Sequence, residues 1–242
     1  GIINSGRTEY FGRGFTFHYD DFKLTLEECD SMRLRALSRE KSGPRQVRSL
    51  SILEDLKGEI LIDGNLNKSG LDTNFQEYPI LNCSKETYVY YDDPSIQNGV
   101  YSRDSFKFII APFTMDSLDN FTNEGIGLGG EFYSSGIFPK FHDSLRLQED
   151  YSLGFIRTTP DEGFHIYDRA ANYDNEIRLS HKGLQGTGSI DFFTSHAESE
   201  EITFFSDSVI AMAHSYENIA LEQDPEIPKV KGKDCHITYI PD

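Results

Sequence analysis

Four oxygen-bearing side chains alternate over residues 63–69: Asp63, Asn65, Asn67 and Ser69. Alternating oxygens are what a calcium loop offers its ion. The run departs from such a loop at three points. Gly70 comes two places late, the twelfth position is Asn74 rather than a chelating glutamate, and Lys68 sets a positive charge among the ligands. These departures favour an Asn/Gly turn. No cofactor is expected, and calcium stays as the one candidate.

Carboxylates are plentiful: Asp92-Asp93, Asp116 with Asp119, Glu149-Asp150, Asp161-Glu162, and Glu198 with Glu200-Glu201. Two of them about 5–10 Å apart across a sugar would hydrolyse a glycoside. In an acidic chain, turn carboxylates are more often simply solvated. The histidines (His18, His142, His165, His181, His196, His214 and His236) are scattered, with no His-Glu-x-x-His pair. No Gly-x-Ser-x-Gly elbow or phosphate-binding loop occurs. Gly125-Ile126-Gly127-Leu128-Gly129-Gly130 lacks the strand-before, helix-after context of a dinucleotide site and reads as a turn or bulge. Cys29, Cys83 and Cys235 never form a Cys-x-x-Cys pair. Three buried thiols are the favoured reading, with one disulfide plus a free thiol, or a nucleophile, as alternatives. In Tyr88-Val89-Tyr90-Tyr91, a strand would put Tyr88 and Tyr90 on one side and Val89 and Tyr91 on the other. An exposed tyrosine face would suit a sugar or a protein partner; a packed sheet with polar tips at its rim is the commoner use. Tyr88, Tyr90 and Tyr91 are the ligand-binding candidates and no catalytic residue is assigned.

Strands must position these groups. Phe15, Phe17 and Tyr19 alternate with polar residues, as do Phe22, Leu24 and Leu26, with Asp20-Asp21 as the turn between them. Met32-Arg33-Leu34-Arg35-Ala36 repeats the alternation after a second turn at Cys29-Asp30-Ser31. A charged break with Gly43-Pro44 occupies 38–46 and is a soft candidate boundary in an otherwise single β-rich segment, 1–242. Val47, Leu50, Leu53 and Leu56 then recur every three residues. With Ser42 as cap, Pro44 in the first turn and Gly58 at the end, they predict one short helix near 45–57. Further strands are expected at 59–63, 88–91, 105–110 (ended by Pro112), 131–133, 144–147, 177–179, 189–193, 202–205, in 206–220, and near 236–240. The fold class is mainly β, an antiparallel sandwich or an elongated open β-stack.

Pro112-Phe113-Thr114-Met115-Asp116-Ser117-Leu118-Asp119, Gly136-Ile137-Phe138-Pro139, Asp150-Tyr151-Ser152-Leu153-Gly154-Phe155, Gly183-Leu184-Gln185-Gly186-Thr187-Gly188 and Phe204-Phe205-Ser206-Asp207-Ser208 carry a resemblance over most of residues 1–215. With them the chain resembles very large, uncharacterised, β-rich cell-envelope proteins of Bacteroidetes-type bacteria. The resemblance implies a signal peptide upstream, a periplasmic or cell-surface address and a much longer parent chain. It transfers no catalytic or ligand residue. A second likeness, resting on strand-after-strand patterning, is to groove-shaped β proteins that carry lipid between membranes.

Composition excludes several classes. The 242 residues carry 23 basic and 40 acidic side chains, a net charge of -17, so a nucleic-acid partner is not expected. Aromatics at 13% argue against general disorder although the hydrophobic fraction is only 37%. No apolar run approaches the roughly 20 residues of a membrane helix. The sequence begins Gly1-Ile2-Ile3 without Met, which suggests a piece of a longer precursor. The expectation is a non-enzymatic structural or interaction segment of a large extracytoplasmic envelope protein. Its partners would be the rest of the parent chain or another envelope protein. A lipid-binding β-groove and a glycan-binding or glycan-hydrolysing module are the alternatives.

Overall fold

Segments whose apolar residues fall at every second position bury one face and leave the other to solvent, which is the condition for a sheet. The computed structural model describes residues 1–40, 43, 45–168, 171–218 and 229–241. Its strands begin with β1 Ile2–Ser5, β2 Thr8–His18, β3 Lys23–Leu37, β4 Gln46–Arg48, β5 Leu53–Leu61, β6 Ile80–Cys83, β7 Thr87–Tyr90, β8 Phe106–Ile110 and β9 Phe113–Met115. They continue with β10 Leu128–Ser134, β11 Phe141–Leu147, β12 Leu153–Thr158, β13 Phe164–Ile166, β14 Ala171–Ser180, β15 Gly183–Phe192, β16 Ser195–Phe204, β17 Val209–Asn218, β18 Lys231–Gly232 and β19 Cys235–Tyr239. Among the described residues the one helical element is a 3-10 turn, Gln97–Gly99. The nearly all-β, antiparallel class expected from the sequence is the one observed. No helix of the described residues is long and apolar enough to cross a membrane.

The chain divides into two units. The first comprises Gly1–Tyr90, Phe108–Glu131 and His142–Leu153, and the charged break 38–46 lies inside it. Its antiparallel order is β1–β2–β3–β5–β6–β9, with β4 on the far end of β3 and β7 meeting β5 at Glu54 and Tyr88. Tyr10, Leu26, Met32, Leu34, Leu53, Leu56, Ile60 and Leu81 fill its core. At the far end of β3 stands a charged cluster. Glu9, 2% exposed, accepts hydrogen bonds on Oε1 from Arg35 Nη2, from Arg35 Nε at 3.0 Å and from Arg48 Nη2 at 3.0 Å. Its Oε2 is buried without a hydrogen-bond partner. Burial opposes ionisation, but the two guanidinium groups outweigh it and hold the Glu9 carboxyl below the ordinary glutamate value.

The second unit comprises Tyr91–Lys107, Phe132–Phe141 and Gly154–Asp242. Here β12 and β13 both pair with β14, and β15, β16 and β17 follow in order, closed by β18 and β19 along β17. Its core is aromatic: the Phe106 ring lies 5.3 Å from Phe132, and Phe204 lies 5.0 Å from both Phe138 and Tyr173. The Tyr101 hydroxyl donates to the Phe204 carbonyl at 2.9 Å and accepts the Leu184 N–H at 3.0 Å. Burial pushes that phenol up to about 12.

Two expectations are corrected. Residues 45–57 are not a helix but β4, a bend at 50–51 and the first half of β5. Ser42 and Pro44, the expected cap and first turn, lie outside the described residues. Leu50 is exposed, and Gly58, read as a helix terminator, sits inside β5 opposite Cys83. The three-residue spacing has a local cause. Asp55 takes a left-handed backbone, φ 60, which turns the strand so that Leu53 and Leu56 both face inward. The second correction concerns Cys29-Asp30-Ser31, which is not a turn. β3 runs straight through it, and the register against β2 slips there, with Gly12 facing Cys29 and Phe11 facing Ser31. A slip against β5 between Leu26 and Cys29, and this one against β2, move the inward phase from Leu26 to Cys29 and then to Met32, Leu34 and Ala36.

All three cysteines are free; Cys29 and Cys83 are buried and Cys235 is half-exposed on β19. Burial pushes the Cys29 thiol up to about 11. Ellman's reagent is therefore expected to titrate one thiol in the folded protein, Cys235, and all three after denaturation. A Cys235→Ser variant that still yields a fast native thiol would contradict this packing.

Candidate functional site

The calcium-loop candidates fall in the segment that joins β5 to β6, and the structure brings two of the four together. Asp63 and Asn67 meet; Asn65 and Ser69 are exposed. Asn67, 5% exposed, donates from Nδ2 to Asp63 Oδ2 at 3.0 Å, to Asp63 Oδ1 at 3.1 Å and to the Asp72 carbonyl at 2.8 Å. Its Oδ1 accepts the Asp72 N–H at 3.0 Å, which fixes the orientation of the amide. Asp63 Oδ1 also accepts the Gly64 N–H at 2.6 Å, and Asp72 Oδ1 accepts from Asn74. N–H groups thus stand in front of the Asp63 carboxylate, and the network closes the loop on itself. Among the described residues no three His, Cys, Asp or Glu side chains are placed to hold a metal ion.

The tyrosines separate as strand geometry requires. Tyr88 and Tyr90 are half-buried and lie ring to ring, centroids 5.9 Å apart and planes 11° apart. Tyr91 is buried in the second unit, edge-on to Phe106 at 5.8 Å. The carboxylates singled out in sequence mostly serve turns and surface pairs. Asp93 caps Ser95, Asp150 caps Ser152, and Asp92 pairs with Arg103 at 3.2 Å. On the outer face of the second unit, Glu198 lies 3.3 Å from His214 and 3.6 Å from His196. The hydrogen bond to the Asp191 carboxylate is the main cause holding the His196 imidazole above its ordinary value.

What sequence reading missed lies around the Asp63 loop. The β2–β3 turn carries Tyr19 and Phe22 beside Phe17, with ring centroids 6.4 Å (Phe17–Tyr19) and 6.1 Å (Phe17–Phe22) apart. The Ile62 N–H donates to the Phe22 carbonyl at 3.1 Å and ties this turn to the start of the loop. From the loop, Lys68 reaches back to place its ammonium 4.4 Å from the Tyr19 ring centre. Phe75 packs over Gly64 and edge-on to Tyr78 at 6.3 Å. The loop's far end is held by N–H donation from Ser117 to the Glu77 carbonyl and from Leu118 to the Pro79 carbonyl. Tyr78-Pro79 is a cis peptide.

These elements enclose an open cleft of about 450 Å³, lined among others by Asp21, Lys23, Asp63, Leu66, Phe75 and Tyr78. The turn and the loop leave large apolar side chains open to solvent: Leu66, which lines the cleft, is 95% exposed, Leu71 85%, Tyr19 65% and Phe17 51%. Lys23 donates to Glu59 at 2.9 Å, with Asp21 at 4.0 Å, and the Glu59 hydrogen bond raises the pKa of its ammonium. The cleft has apolar walls, carboxylates at the rim and cations already engaged inside the chain. Such a surface can bind a partner by contact. No protein-family model, curated protein or solved structure matched this chain. The one sequence signal for the site was the placement of Leu66, Leu71 and Phe75 in a turn-rich stretch with no period to bury them.

Proposed function

We propose that the chain is a non-enzymatic interaction segment of a larger extracytoplasmic envelope protein, and that it engages its partner at the cleft between the β2–β3 turn and the 63–78 loop. The observation that carries this reading is the group of large apolar side chains left open on a fixed end of a packed sheet. Isolated exposed apolar residues are ordinary, whereas several gathered on the turn and the loop that form one cleft mark contact surface. Among the described residues each unit buries a large apolar set of its own side chains. This favours a partner at the rim over a lipid held along a sheet face. The envelope address rests on the resemblance of the turn and aromatic motifs and on the β-rich fold.

The test is photo-crosslinking in the cells that make the full-length protein. A benzophenone side chain at position 66 is expected to trap one discrete envelope partner. The same group at Val100, exposed on the second unit, is the control. No product at 66, or the same product at both positions, would sink the reading.

A further inference from the structure

The cleft's charge points to the chemistry of its occupant. The turn 18–23, Glu59 and the loop 63–78 together carry six carboxylates (Asp20, Asp21, Glu59, Asp63, Asp72 and Glu77) against two lysines. Neither lysine is left as a free cation for a ligand: Lys23 is held by Glu59 and Lys68 lies over Tyr19. The Lys68–Tyr19 contact is an internal instance of a cation seated on an exposed ring of this patch. The cleft itself is lined by Leu66 and Phe75, which offer apolar contact. The whole chain, at -17, adds a long-range field of the same sign.

We propose that the cleft docks a protein segment in which lysine or arginine alternates with aliphatic or aromatic side chains. The basic groups meet the Asp21 side of the rim and the aromatic faces, and the apolar groups meet Leu66, Phe75 and Tyr78. This rests on the reading of the chain as an interaction segment and names the partner's chemistry. Charge sets the encounter and its salt dependence, while the apolar contacts set residence.

The experiment follows fluorescence anisotropy of a short labelled peptide of alternating lysine and leucine, with a glutamate–leucine peptide of equal length beside it. The lysine peptide is expected to bind, and to weaken by about tenfold between about 50 and 300 mM salt. Leu66→Ser/Leu71→Ser should weaken it by about tenfold as well, and Asp21→Asn by about threefold. All three side chains are exposed, so both variants keep the fold. Binding that falls with salt but ignores Leu66→Ser/Leu71→Ser would be general attraction to an acidic protein and would overturn the proposal. Equal binding of the glutamate peptide would overturn the charge assignment and leave the cleft a contact surface. Co-sedimentation with phosphatidylcholine vesicles that Leu66→Ser/Leu71→Ser abolishes would overturn it in favour of a membrane. Failure of both peptides overturns the proposal, and the crosslink from position 66 then decides the interaction reading separately.

Discussion

Arg35→Met is expected to lower the stability of the protein by about 3–5 kcal/mol at neutral pH, because it strands a buried carboxylate. Glu9 is almost fully enclosed, and Arg35 supplies two of the three donors on its one bonded oxygen. The second oxygen has no partner, so the guanidinium carries most of the compensation for burying the charge. The pH dependence follows from the sign of the shift. The carboxyl of Glu9 is held below its ordinary value of 4.5 in the folded protein, so its contribution is present above that pH and fades as pH falls through the folded value. The cost of Arg35→Met should therefore shrink in acid, where Glu9 takes up a proton. Glu9→Gln added to Arg35→Met should recover most of the loss at neutral pH. Urea unfolding of the three proteins at two pH values measures all of this. A loss that is the same in acid and at neutrality would assign the effect to packing rather than charge.

Gly58→Ala is the second large change, with an expected cost of about 3 kcal/mol. A Cβ at this position would stand 2.0 Å from the Asn82 carbonyl oxygen and 3.0 Å from Cys83 Cα. Both are backbone atoms of β6, the direct partner of β5, so no side chain can move aside. The strands must separate, and the loop strung between them goes with them. Gly129→Ala is the matched control, since nothing lies within 4 Å of its added Cβ. It should be neutral or stabilise slightly through the unfolded chain. Peptide binding at the cleft should weaken in Gly58→Ala and stay unchanged in Gly129→Ala. Equal midpoints for the two variants would refute the close approach of β5 and β6.

The strands were legible wherever a residue's neighbours alternate without interruption, as in Phe106 to Ile110 and Ile202 to Phe204. Period two is a property of the backbone, and it reports the fold class without knowledge of pairing. It also separated Tyr91 from Tyr88 and Tyr90. Legibility failed where the backbone changes phase. One left-handed residue, Asp55, makes Leu53 and Leu56 look like a helical face, and one bulge at Asp30 makes a continuous strand look like two. Both depend on which strand lies alongside, and sequence spacing does not carry that information. The cleft was hidden for a related reason. It is assembled from a turn and a loop some forty residues apart, joined by the Ile62–Phe22 and Lys68–Tyr19 contacts. The Asp63 run was noticed for its oxygens, yet what decides its role is the nitrogen of Asn67.

That amide has an evolutionary consequence. Asn67, Asp63 and Asp72 set the course of the loop from the inside, whereas Leu66 and Leu71 are displayed outside it and bear none of its closure. Framework and display are carried by different residues, as in the hypervariable loops of antibodies. The displayed positions can drift under selection for a new partner while the framework stays constant. Recognition can then diversify across related chains faster than the architecture that supports it.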